Sequence, residues 1–111
     1  MEQKVRFEGD VAVLALHGRF DSYQTGQVRA WLEEATAASP ARLAVNLAGV
    51  TFIDSTALAT LVMGMKRARQ QAGDLHLCAL QQPVRMVFEL TRLDKAFAIF
   101  ADEQAAVQAF D

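Results

Sequence analysis

Short apolar runs alternate with helix-period stretches along almost the whole of this chain, and that alternation restricts it to a sheet with helices packed against it. Lys4 to Glu8 and Val11 to His17 are separated by Gly9-Asp10, a turn signal that predicts a β-hairpin, with Gly18 breaking the second strand. From about Gln24 to Ala38, Val28, Trp31, Leu32 and Ala35 recur on one helical face, with Asp21 or Ser22 as the cap and Pro40 as the stop. Leu43 to Leu47 reads as a short strand covered on both faces. After Val50 to Thr56, a long helical pattern runs to about Ala72 with Leu58, Leu61, Val62, Met65 and Ala68 as its core stripe and Gly73 as its C-terminal cap. Leu75 to Leu80 predicts a strand, Pro83 opens a helix with Val84, Val87 and Phe88 inward, and Ala98 to Phe100 predicts a last strand. Asp102 then caps a final helix carrying Ala106, Val107 and Phe110. The expected fold is α/β: a mixed sheet of about five strands, opened by a hairpin, with about four helices packed on it.

A chain of 111 residues forms one domain, residues 1–111, with no room for a second catalytic one. At 52% hydrophobic and 22% charged residues it is expected to be compact. Eleven Lys plus Arg against thirteen Asp plus Glu, with no dense basic block, disfavour a non-specific nucleic-acid binder, which must neutralise phosphates. The lone Cys78 cannot form an internal disulfide and lies in an apolar run, so a buried, inert thiol in a reducing compartment is expected. MEQKVRFEGD carries no secretory apolar core, and no apolar run approaches the roughly 20 residues that span a bilayer. A cytoplasmic protein without membrane insertion is the expectation. His17 and His76 with one Cys are too few for a typical zinc site, and no metal or other cofactor is expected.

The chemistry concentrates at Asp54-Ser55-Thr56. A hydroxyl directly before a helix can accept from the first-turn amides, so Ser55 reads as an N-cap worth about 1 kcal/mol. The alternative reading is a phosphoacceptor, because a phosphate there meets free N–H groups and the positive end of the helix dipole while changing any docking surface sharply. Ile53-Asp54-Ser55-Thr56-Ala57 is not a nucleophile elbow, and neither histidine is assigned to Ser55 as a base, so hydrolase chemistry is disfavoured. The six glycines lack the spacing of a phosphate-cradling loop. Ala59, Thr60, Met63 and Arg67 form a second stripe at helical spacing, suited either to docking a partner or to being covered by another part of the chain.

Phe52-Ile53-Asp54-Ser55-Thr56-Ala57-Leu58, followed by Lys66-Arg67-Ala68-Arg69, Gly73 and Leu75-His76-Leu77, resembles the STAS domain family, and within it the bacterial anti-sigma factor antagonists. Gly18-Arg19-Phe20-Asp21, Pro83-Val84-Arg85 and Leu90-Thr91-Arg92-Leu93-Asp94 extend the likeness collinearly over essentially the whole chain. The resemblance implies a non-enzymatic protein that binds an anti-sigma factor, itself a serine kinase, and so frees a sigma factor. Phosphorylation ends the binding and a serine phosphatase restores it. Carried over by position, Ser55 looks like the phosphoacceptor, with Thr56 a poor second and Asp21 and Asp54 framing the docking face, to which helical spacing adds Ala59, Thr60, Met63 and Arg67 as candidates. Where the family often has glycines, this chain has Ala57 and Ala59, two methyls that bear on how closely a kinase approaches. STAS-like domains also serve as subunits of membrane transporters, lipid-transport complexes among them, which is the alternative function.

Overall fold

The computed structural model describes residues 1–111. The elements are β1 (Glu2–Glu8), β2 (Val11–Phe20), α1 (Thr25–Ala35), β3 (Arg42–Ile53), α2 (Ser55–Gln70), β4 (Asp74–Cys78), α3 (Gln82–Leu90), β5 (Ala98–Phe100) and α4 (Glu103–Gln108). A short 3-10 turn at Leu93–Lys95, not foreseen from the sequence, joins α3 to β5. The strands form one mixed sheet in the order β1-β2-β3-β4-β5, with β1 antiparallel to β2 and every other pair parallel. This is the α/β architecture expected from the strand–helix alternation.

The hairpin forms where Gly9 takes a positive φ of 59° at the first turn position, pairing Glu8 with Val11 across a two-residue loop. In β2 both alternating sets are apolar because both faces are covered. Ala12, Leu14 and Leu16 join the main core with Val28 and Leu32 of α1, Leu58 and Leu61 of α2, and Phe88 of α3. On the opposite face Val11 and Val13 pack with Ala44, Cys78 and Ala106 of α4. Burial pushes the Cys78 thiol up to about 12, so it is the unreactive thiol expected. His76 is a satisfied sheet residue: its Nδ1 lies 2.8 Å from the Ala106 carbonyl oxygen and its ring stacks on Phe110.

Several boundaries differ from the sequence reading. Gly18 does not end β2; at φ 107° it sits within a register irregularity and the strand continues to Phe20. The runs at Leu43–Leu47 and Val50–Ile53 are one strand, β3, because pairing with β2 continues through Gly49 to Ile53; Gly49 lies beneath the His17 ring, where a side chain would collide. Neither Asp21 nor Ser22 caps α1, whose cap position falls at Gln24 without a side-chain bond. That helix ends well before Pro40, where buried Thr36 donates its hydroxyl to the Leu32 carbonyl at 2.6 Å. Gly73 is not the left-handed residue after α2; Ala72 is, at φ 57°. A Cβ at Gly73 would run into the Ala41 backbone, so close approach of two chain segments explains the glycine. Finally, β4 stops at Cys78, ahead of left-handed Ala79, and does not reach Leu80.

Candidate functional site

The parallel pairing of β2 with β3 delivers two strand ends to one end of the sheet: Arg19 opposite Phe52, and Phe20 opposite Ile53. Each strand then turns away into a helix. Asp54 holds the two exits together. Its backbone is extended and one carboxylate oxygen accepts from the Ala57 amide at 2.9 Å, while the other accepts from the Ser22 amide at 3.0 Å. A single side chain thus caps α2 and pins the loop that leads into α1.

The N-cap of α2 is therefore Asp54, which corrects the sequence reading of Ser55 as the cap. Ser55 is the first helical residue; it is exposed, and no hydrogen bond within the chain engages its hydroxyl. The geometry leaves that oxygen without a structural task. No acidic residue occupies the first turn of α2, so the positive end of its dipole meets only the capping carboxylate.

Asp21 lies on the loop beside this helix start. Its Oδ1 accepts from the Tyr23 amide at 3.1 Å, its carbonyl accepts from the Gln24 amide, and Arg19 Nε approaches its Oδ2 at 3.8 Å. The same guanidinium lies 4.0 Å over the Phe52 ring. Asp21, Asp54 and Ser55 are accordingly brought to one end of the sheet. Arg19, Phe52 and the fully exposed Tyr23 stand there too. In the sequence Arg19 and Phe52 stand out only as parts of the family motifs; register is the signal that brings them together, since the last residues of the parallel neighbours β2 and β3 lie side by side at one end of the sheet.

The second stripe divides. Thr56 and Ala59 are exposed beside Ser55. Thr60, expected on the docking face, is 1% exposed and donates its hydroxyl back to the Thr56 carbonyl at 3.0 Å. Met63 is half-buried with its sulfur 3.5 Å from Arg29 Nη1, and Arg67 donates through Nε to the Thr36 hydroxyl at 3.0 Å. Helix α1 covers this part of α2, approaching closely because Gly64 has no side chain to meet Leu32. Of the residues expected on a docking face, Thr60 is thus buried, Met63 and Arg67 are partly covered and tied to α1 and Thr36, and Ser55, Thr56 and Ala59 stay exposed. The two alanines at family glycine positions also separate. Ala57 turns its methyl into the core, and only Ala59 presents one outward.

No group of His, Cys, Asp and Glu side chains is disposed to hold a metal ion, and no helix is long and apolar enough to cross a membrane.

Known proteins share this sequence pattern and this fold. The STAS domain family matches residues 2–106. The chain is 30% identical over 98 residues to BtrV of Bordetella bronchiseptica, named an anti-sigma factor antagonist, covering 88% of this chain and 84% of that protein. Its fold superposes on an anti-sigma factor antagonist from Mycobacterium paratuberculosis with a TM-score of 0.88 at 24% identity, over 98% of this chain and 92% of that one. The Bacillus cell-fate determinant SpoIIAA in its phosphorylated form gives a TM-score of 0.77 at 21% identity, over 99% and 100% of the two chains. With essentially its full length matched by one family in sequence and in fold, the chain belongs to the STAS domain family.

Proposed function

We propose that this protein is an anti-sigma factor antagonist whose association with its partner is gated at Ser55. It binds an anti-sigma factor that is also a serine kinase, and so frees a sigma factor. The relatives named as antagonists support the role. The observation that carries the gate is the division of labour at the start of α2: Asp54 does the capping, and Ser55 stands exposed with an unengaged hydroxyl.

In the unmodified state the exposed first turn (Ser55, Thr56 and Ala59), flanked by Asp21 and Asp54, lies against the partner. A small neutral surface of this kind loses little on desolvation. Transfer of a phosphoryl group to the Ser55 oxygen adds about 1.5 to 2 negative charges at the centre of that surface. Backbone amides at the helix start offset part of this charge within the domain, so the fold tolerates it. The partner gains no such compensation and meets a charge it must desolvate, beside two carboxylates already there. A serine phosphatase restores the neutral surface. The domain supplies no catalysis of its own; it is the substrate of one enzyme and then of the other.

Intact-mass measurement after incubation with candidate anti-sigma kinases and ATP tests this directly. One added phosphate mapping to Ser55, absent from Ser55→Ala, is the expected result. In binding assays Ser55→Ala retains the partner and Ser55→Asp loses affinity by at least about tenfold, a change of about 1.4 kcal/mol. Equal affinity of the two variants for the cognate kinase removes the gate. Recovery of a transporter ATPase in place of a kinase-like protein from a pull-down replaces the reading with that of a transporter subunit.

A further inference from the structure

The edge of the sheet formed by β1 is open. Strand β1 pairs only with β2, and all of its residues except Gln3 are exposed, with Val5 at 51% and Phe7 at 72%. Because Glu8 and Val11 flank a two-residue turn, the backbone groups of Glu8, Arg6, Lys4 and Glu2 point towards β2. Those of Gln3, Val5 and Phe7 point outward, unpaired. The side chains of these three residues line one wall of a groove of about 590 Å³, whose floor and far wall include Ala12, Trp31 and Ala35. An unpaired edge and an exposed apolar strip therefore coincide.

We propose that this edge is where a second copy of the chain adds, β1 against β1 of its partner, in a two-fold antiparallel pairing. The occupant is argued from charge. In the full-length register, Val5 faces Val5, but Glu2 then opposes Glu8 and Lys4 opposes Arg6, like against like at both positions. A two-residue shift in one direction faces Glu2 with Arg6 twice and Lys4 with its own copy, but it sets Gln3 against Val5 and leaves Phe7 beyond the paired segment, so apolar contact is lost. The shift in the other direction faces Val5 with Phe7 twice and Lys4 with Glu8 twice. Only Arg6 then meets its own copy, and Arg6 is already neutralised by ion pairs to Glu8 and to Glu103 of α4. Val5 and Phe7 in this register are outward-pointing and can exchange both backbone hydrogen bonds. The strand is thus self-complementary in charge, apolar contact and hydrogen bonding in one register. The paired segment is short, so the association is of the weak, reversible class. It leaves Ser55, which lies at the end of β3, outside the contact.

Sedimentation velocity over a concentration series tests the pairing. The wild-type chain is expected to shift from the mass of one chain towards that of two. Lys4→Glu and Glu8→Lys, both at exposed positions, each place like charges at two sites and should weaken self-association at least about tenfold. The register predicts reciprocal rescue: an equimolar mixture of K4E and E8K forms a heterodimer, since every Lys4–Glu8 contact is again between opposite charges, and the double variant K4E/E8K self-associates as the wild type does. Circular dichroism confirms that each variant is folded. A wild-type chain that stays monomeric at millimolar concentration overturns the proposal, as does a mixture no more associated than its components.

Discussion

Two helices of this domain begin with the same chemistry and use it in opposite ways. At α2, Asp54 accepts from the Ala57 amide at 2.9 Å; at α4, Asp102 accepts from the Ala105 amide at 2.8 Å. The next residue differs. In α4 it is Glu103, whose carboxylate is drawn into the domain by Arg6 of β1 and by Asn46 of β3, 3.0 Å away. In α2 it is Ser55, which bonds to nothing. The α4 start thus carries a second negative charge from the chain itself, whereas the α2 start carries only its capping carboxylate and leaves Ser55 uncovered. A helix start occupied from within serves the fold, whereas one left vacant beside a firmly held cap is free to serve something outside it.

The largest effect that sharpens this contrast is expected from the caps themselves. Asp54→Ala removes acceptors from two backbone amides on different segments and should cost about 2 kcal/mol. Asp102→Ala removes one acceptor and should cost about 1 kcal/mol. Urea unfolding midpoints of the two variants measure the difference; equal losses would mean that the bond to Ser22 adds nothing.

An intermediate effect is expected at Glu103 and depends on pH. Hydrogen bonding to Arg6 holds its carboxyl below the usual carboxylate range, against a smaller opposing effect of burial. The folded protein therefore binds fewer protons than the unfolded chain through the acid range. Its stabilising contribution is complete above the ordinary glutamate value of about 4.3 and is lost as pH falls through the lowered folded value. Wild type should accordingly exceed Glu103→Gln in stability at pH 7, with the gap closing below about pH 4. A gap that persists unchanged into acid would show that the ion pair is not its source.

The smallest effect, and the most diagnostic, is at Ser55. Because it is not the cap, Ser55→Ala should alter stability by no more than about 0.5 kcal/mol. A loss of 1 kcal/mol or more in thermal or urea unfolding would return the hydroxyl to a capping role and undo the contrast with α4.

Much of the fold was legible in short stretches of sequence. The Gly9-Asp10 hairpin, Pro83 in the first turn of α3, the strand at Ala98–Phe100 and the Asp102 cap each depend on chemistry within a few residues, and the structure places each as expected. The errors share one cause. Ser55 was read as a cap because either it or Asp54 could satisfy the first-turn amides; what favours Asp54 is its second oxygen, which reaches Ser22 thirty-two positions away. Helical spacing defines faces but not what covers them, so it left open whether the stripe through Thr60 and Met63 docks a partner or is covered by the chain; Thr60 is buried and Arg29 of α1 lies against Met63. Gly18 and Gly73 were read as stops, whereas their roles are a bulge against β3 and close passage of the Ala41 backbone.

Periodicity and turn residues were enough to determine the α/β class and the order of its elements, because these follow from contacts between near neighbours in the chain; the family came from the resemblance of its collinear motifs. Which carboxylate caps α2, which hydroxyl stays free and which side of that helix meets solvent were decided only by tertiary packing. They depend on groups distant in sequence, Ser22, Arg29 and Thr36, that the parallel sheet and the α1–α2 contact bring into hydrogen-bond or van der Waals range.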